Sequence, residues 1–346
     1  MTDSGPYDAI TDVPGIKVGH WSDRQAATGC TVVLCETGAV PGFFNPGGAP
    51  GTIDTDVALP ENSIQEVHAV LLTGGSTIGL EAATGVRRVL RERDVGLSLV
   101  PRQPTIPLVL GAVVFDLSLG LPSNPTAANG RSATRQARTG PIRQGTIGVG
   151  TGCTVAKTGR RETAIKGGVG TASIRHECGL VVGAIVATNA IGDIIDPETG
   201  ALIAGARGEL RGEMRRASTD LLNRSIADYK AALAAHEEAS PDQAGANTTL
   251  CAIATNAKLH KGTAKRVAIM GSAGLARTIS PVFTPGDGDS IFTLATGEID
   301  VTTIPQLLTL TGTMAAEAVA RATVRSVTTA ESLVGVPSVS EWRAAS

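Results

Sequence analysis

Apolar positions in this chain fall into short, dense runs rich in Val, Ile, Leu and Ala, separated by clusters of Gly, Pro, Asp and Asn. Such runs predict buried strands, because β-branched side chains suit a pleated surface and turn residues bound it. The pattern predicts strands over residues 31–34, 67–72, 107–115, 163–173, 180–187, 249–255 and 290–296. Two shorter strands are predicted on either side of Pro14-Gly15, within residues 9–20. Residues 145–152 alternate glycine with β-branched residues, which predicts a strand approached closely by other backbone. A helical period appears after Gly79 to about Glu92, over 132–138 and 264–277, and from 304 to about 330.

The stretch 205–246 differs. Charges crowd Arg207 to Arg216, and a helical period continues through Leu221, Leu222, Ile226, Tyr229 and Leu233. Residues 237–245 then turn polar, with Pro241 and Gly245, as expected of a surface helix followed by a flexible linker. Gly38 to Gly51 is rich in glycine and proline and is expected to be a loop that walls a pocket. Strands and helices mix, with several strands in sequence before a helix, so the expected class is α/β (α+β). Sheets would pack face to face with helices outside, rather than form a doubly wound sheet. No internal repeat divides the chain, and residues 1–346 are expected to be a single domain.

Composition narrows the chemistry. Of the 346 residues, 42% are hydrophobic and 18% charged, enough for a large core. Aromatics are 3% against 42 glycines, so that core is aliphatic and the backbone closely packed. A net charge of −2 offers no electrostatic case for nucleic acid or an anionic membrane. Neither a signal peptide nor a run long enough to span a bilayer is visible. The five cysteines are scattered without a C-x-x-C pair and are expected to be reduced, as in a cytoplasmic protein. The five histidines form no metal-ligand pattern, and neither cofactor nor metal is expected.

Three stretches carry candidate chemistry. Gly245-Ala246-Asn247 runs directly into the apolar strand at Thr248. There a hydroxyl could attack the carbonyl just upstream, form an ester and leave Thr248 as a new N-terminus. Its α-amine, with an unperturbed pKa of roughly 7.7–8.0, could then serve the hydroxyl as base. The competing reading is a plain loop-to-strand junction. Thr73-Gly74-Gly75-Ser76 joins strand to helix as a phosphate cradle would, but without a Walker or dinucleotide spacing, so a structural turn is the better reading. Asp287-Gly288-Asp289 enters a strand with two carboxylates on one face, unless it is only a solvated acidic turn. Lys166, beside Gly167-Gly168, is either a solvated turn or a cation pointing into a cleft.

These motifs occur in one order with Ile10-Thr11-Asp12-Val13-Pro14-Gly15-Ile16-Lys17-Val18-Gly19-His20, Gly47-Gly48-Ala49-Pro50-Gly51-Thr52 and Lys166 to Ser173. Over nearly its whole length the chain resembles the P1 family of self-processing N-terminal-nucleophile hydrolases. That family comprises β-aminopeptidases, an L-aminopeptidase/D-esterase and 6-aminohexanoate-oligomer (nylon-oligomer) hydrolases. The resemblance implies a four-layer α-β-β-α sandwich, assembled as a homo-oligomer of αβ units, often four. It implies cleavage between Asn247 and Thr248 into fragments 1–247 and 248–346, with Thr248 as nucleophile. Asp287 and Asp289 would orient the nucleophile and its amine. Lys166 would lie close to the hydroxyl, and Asn189 would help bind the oxyanion. The implied reaction is hydrolysis of amide bonds in peptides or ω-amino-acid oligomers through an ester intermediate. A Thr nucleophile with an Asp-x-Asp pair leans toward the nylon-oligomer branch. The family's mid-chain tyrosine has no counterpart. Only Tyr7 and Tyr229 exist, and Arg131 occupies the corresponding region.

Two other readings stand beside this one. The ornithine acetyltransferase family also exposes a threonine by self-cleavage, which would make the chain an acyltransferase. A non-catalytic small-molecule binder could use the same glycine loops.

Overall fold

The computed structural model describes residues 2–157, 161–231, 247–301 and 304–344. The expected linker 237–245, and Leu233 before it, lie outside the described residues. In chain order the principal elements are β1 (Ile16–Asp23), β2 (Thr28–Phe44), β3 (Val67–Thr73) and α1 (Ala82–Glu92). They continue with β4 (Val109–Val113), α2 (Ala127–Arg135), β5 (Gly168–His176) and β6 (Val181–Asn189). The last are β7 (Thr248–Lys258), α3 (Lys261–Thr278), β8 (Ser290–Asp300) and α4 (Pro305–Thr328).

The long strand β2 joins two halves of the molecule. Its first part pairs with β1 and β3, whereas Val40 to Phe44 pair with β8. Its pairing shifts register between Leu34 and Ala39, and Gly38 there adopts φ +83°, a conformation that favours glycine. One sheet therefore runs β5-β6-β7-β8-β2 and the other β1-β2-β3-β4. Gly38 to Phe44, expected as loop, continues this strand beyond the bulge.

Three apolar layers separate four layers of structure. Val267, Leu275, Met314 and Val319 of α3 and α4 pack on Ile253 and Ile291 of the first sheet. Leu250, Ala252 and Phe292 on its other face meet Val33, Val70, Leu72 and Leu110 of the second sheet. Val32, Leu34 and Leu71 then face Val86 and Leu90 of α1 and Ala133 of α2. The order is α-β-β-α. Because both faces of each sheet are covered, successive residues such as Leu250, Cys251, Ala252 and Ile253 are all buried. That is why the strands read as unbroken apolar runs.

Residues 145–152, expected as a strand, instead contain a 3-10 turn at Gly148–Gly152. Gly145 and Gly148 adopt φ +84° and +55°, which interrupts any extended run. A second short pairing, Thr154–Val155 with Ile165–Lys166, follows.

Candidate active site

Topology gathers the candidate residues at one edge of the first sheet. The strands β7 and β8 are parallel and linked through α3, so both begin at the same edge, with Leu250 opposite Ser290. Antiparallel β6 ends there, and Asn189 is the partner of Thr248. Asn247 bridges Asp287 just outside the sheet. Thr248, Asn189, Asp287 and Asp289, far apart in sequence, thus meet at one place, and each is at most 3% exposed.

The Asn247 carbonyl oxygen accepts two hydrogen bonds. The Thr248 hydroxyl donates to the Asn247 carbonyl oxygen at 2.5 Å. The Gly288 backbone N–H donates to the same oxygen at 2.9 Å. That second bond would strengthen as charge develops on this oxygen. The approach requires glycine: a Cβ on Gly288 would lie 2.7 Å from Thr248 Oγ1 and 2.8 Å from the Ala49 carbonyl oxygen. The loop at Gly47-Gly48-Ala49 closes over this turn, with Ala49 N–H donating to the Asp287 carbonyl at 2.8 Å. This part of the glycine-rich stretch packs against the Asp287–Asp289 turn.

The two carboxylates are set by backbone donors. Asp289 accepts from the N–H of Thr249 and, at 3.1 Å, from that of Phe283. Burial pushes its pKa up to about 7, and the neighbouring Asp287 charge adds to the rise. Asp287 accepts from the Thr284 N–H at 2.8 Å, and burial raises its pKa too. Among the described residues its buried Oδ1 has no hydrogen-bond partner. An acceptor in that position suits an ammonium group.

Asn189 is fixed on both sides of its amide. Oδ1 accepts from the Thr154 N–H and from Lys157 Nζ, both at 3.0 Å, and Nδ2 donates to the Phe115 carbonyl at 3.3 Å. Lys157 Nζ also donates to the Asn189 carbonyl at 2.9 Å, and its charge favours ionised Asp287. Lys157 therefore touches the amide and acts electrostatically on Asp287. Sequence reasoning missed it, because Ala156-Lys157 belongs to no motif. Its position comes from Ala156 at φ +60° and from backbone bonds to Gly192 and Ile191.

Lys166 is placed differently. It is fully buried, and its ammonium donates to the carbonyls of Gly150 (3.0 Å), Cys153 (2.7 Å) and Gly167 (2.9 Å). Three acceptors match its three donors, and no bond to Thr248 is among the described contacts. Burial pulls its pKa down to about 8, with Cys153 and buried Asp116 acting in the opposite direction. Asp116 in turn accepts from Gly75 N–H (2.7 Å) and the Thr28 hydroxyl (2.8 Å), so the Thr73–Ser76 turn is held by a carboxylate. That fits a structural turn better than a phosphate cradle. Arg131, in the region of the missing tyrosine, pairs at 2.8 Å with Glu92 on the outer helical layer.

Comparison with known proteins identifies relatives of the whole chain. The model for peptidase family S58 matches residues 8–339. An uncharacterised aminopeptidase of Mycobacterium tuberculosis is 41% identical, covering 95% of this chain and 96% of its own length. A 6-aminohexanoate-oligomer endohydrolase of Kocuria is 31% identical over 85% of this chain and 76% of its own. Among solved structures, the L-aminopeptidase D-Ala-esterase/amidase of Ochrobactrum anthropi is similar with a TM-score of 0.68. It is 19% identical and covers 96% of this chain and 88% of that one, and it is described as a variant of the N-terminal-nucleophile hydrolase fold. The α-β-β-α layering seen here is that fold.

Proposed function

We propose, for a chain that belongs to peptidase family S58 and is an amide-bond hydrolase, that its nucleophile is Thr248, released by the chain's own cleavage after Asn247. The observation that carries this reading is the pair of hydrogen bonds on the Asn247 carbonyl, one from Thr248 Oγ1 and one from Gly288 N–H. Attack by Oγ1 forms a tetrahedral centre whose oxygen the Gly288 N–H supports. A single preorganised donor of this kind contributes about 2.7–4 kcal/mol. Collapse transfers the Asn247 acyl group to Oγ1, water hydrolyses that ester, and the chain is left as fragments 1–247 and 248–346 of one hydrolase domain.

The new α-ammonium then lies beside Asp287, whose unpartnered Oδ1 is a fitting acceptor. In its neutral form the amine takes the Oγ1 proton as the hydroxyl attacks a substrate amide. Asn189 has a second amide N–H for the oxyanion, and Lys157 keeps that amide oriented. Asp289 holds the start of β7 through Thr249. Lys166 orders the Gly150–Cys153 turn, from which Thr154 reaches Asn189. The natural substrate on this reading is a short peptide or ω-amino-acid oligomer of the kind named for the Kocuria relative. Four buried free cysteines suit a reducing, cytoplasmic setting. Exposed Leu222, Ile226 and Tyr229 offer an apolar face for homo-oligomer assembly.

The test is Thr248→Ala. The variant is expected to stay undivided on a denaturing gel and to hydrolyse no amide. Cleavage of that variant at the same bond would contradict the assignment.

A further inference from the structure

Two pockets lie beyond Asn189. The nearer, of about 60 Å³, has Phe115, Leu119, Ala164 and Val336 as its apolar lining, with Ser118, Thr154 and Lys157 as polar groups. Phe115, Thr154 and Lys157 are the same residues that hold the Asn189 amide, so this pocket adjoins the candidate oxyanion site. The other, of about 340 Å³, is lined by Arg207, Arg211, Glu341 and Trp342 and again by Val336. Val336 is thus a wall common to both. Arg207 ties them further, because its Nε donates to the carbonyl of Ala164 at 3.1 Å.

Cations outnumber carboxylates around these pockets, with Lys157, Arg207 and Arg211 against Glu341. No Asp or Glu lines the nearer pocket, whose charged group is Lys157. In the larger pocket the Glu341 carboxylate accepts from the Ser332 hydroxyl. Arg207 is fixed by carbonyl oxygens and lies 5.1 Å from the centre of the Trp342 ring. Among the described residues neither Arg207 nor Arg211 has a carboxylate partner. A substrate's free ammonium would find only Glu341 here, which already accepts from Ser332, whereas a carboxylate would meet a guanidinium with the planar fork that suits it. The apolar lining between suits methylene or small side-chain groups.

We propose that these pockets receive the carboxylate end of the substrate. The preferred substrates are then short amide oligomers ending in a free carboxylate, with Arg211 as the residue that meets it. This proposal rests on the amide-hydrolase reading of Thr248 and narrows it. The test uses mature, self-cleaved protein and a panel of short α-peptides and ω-amino-acid oligomers. Each is supplied as free acid and as terminal carboxamide. The free acid is expected to have kcat/KM about 10-fold higher, mostly through KM, as one charge-assisted contact would give. Arg211→Gln is expected to bring the ratio to about 1–2, and Arg211→Lys, which keeps the charge without the planar fork, to restore only part of it. A wild-type ratio near one, or a ratio unchanged in Arg211→Gln, overturns the proposal and leaves the hydrolase reading standing. Failure of self-cleaved protein to hydrolyse either form overturns the hydrolase reading and the proposal with it.

Discussion

Two lysines at this site show how differently one residue type can be used. Lys166 lies in the short strand paired with Thr154–Val155, is fully buried, and gives all three donors to backbone carbonyls. Lys157 is half-buried, contacts both oxygens of Asn189, and acts electrostatically on Asp287. The first lies in a conspicuous motif and serves the frame. The second lies in none and holds the Asn189 amide of the candidate site. A motif reports that a backbone arrangement is needed; only geometry shows which atoms the side chain reaches.

Substitution of each lysine should separate the two roles. Lys166→Met leaves three buried carbonyls without their donor and should destabilise the fold by about 3–5 kcal/mol, read by urea unfolding. Lys157→Met should cost under about 1 kcal/mol of stability, because its side chain is partly solvated. Yet it should lower kcat about 10²-fold, since Asn189 loses an orienting partner and Asp287 a nearby positive charge. Equal stability losses, or unaltered kcat in Lys157→Met, would erase the contrast.

The acidic pair sharpens it through pH. Asp289 has its folded pKa raised from the usual carboxylate range to about 7, by burial and then by Asp287. Between pH 4 and 7 the folded chain therefore holds a proton that the unfolded chain has released. Stability contributed by this group falls as pH rises through that window. In the undivided Thr248→Ala background, Asp289→Asn should flatten that decline, read by denaturant midpoints at pH 4.5 and 7.5. A decline unaltered by Asp289→Asn would show that another group carries it.

The smallest effect is expected outside this edge of the sheet. Arg131 pairs with Glu92 at the surface, so Arg131→Ala should change kcat less than about 2-fold and stability by about 1 kcal/mol or less. A large loss of activity would restore to Arg131 the place of the missing tyrosine.

Much of this arrangement was legible in the chain itself. Thr248, Asn189, Asp287 and Asp289 each end or begin an apolar strand, and strand ends are where a sheet presents side chains to a site. The strand-helix-strand order from β7 to β8 was readable too, and it brings Thr248 and Asp289 to one edge. Residues 145–152 misled because small and β-branched residues alternate there as in a strand, while positive φ at Gly145 and Gly148 folds them into a turn. Gly38 to Phe44 misled in the opposite sense, because glycine and proline there shape a bulged strand rather than a loop. Lys157 could not be found from spacing, since Ala156 turns the chain at φ +60°, an unusual conformation for alanine. The role of Gly288 depends on a 2.9 Å contact between residues that are distant in sequence.

The most direct measurement is intact mass and N-terminal sequencing of an active preparation. Two fragments should appear, residues 1–247 and 248–346, the smaller beginning with Thr248 and carrying a free amine. Full hydrolytic activity in a preparation whose Asn247–Thr248 bond is unbroken would contradict the central claim.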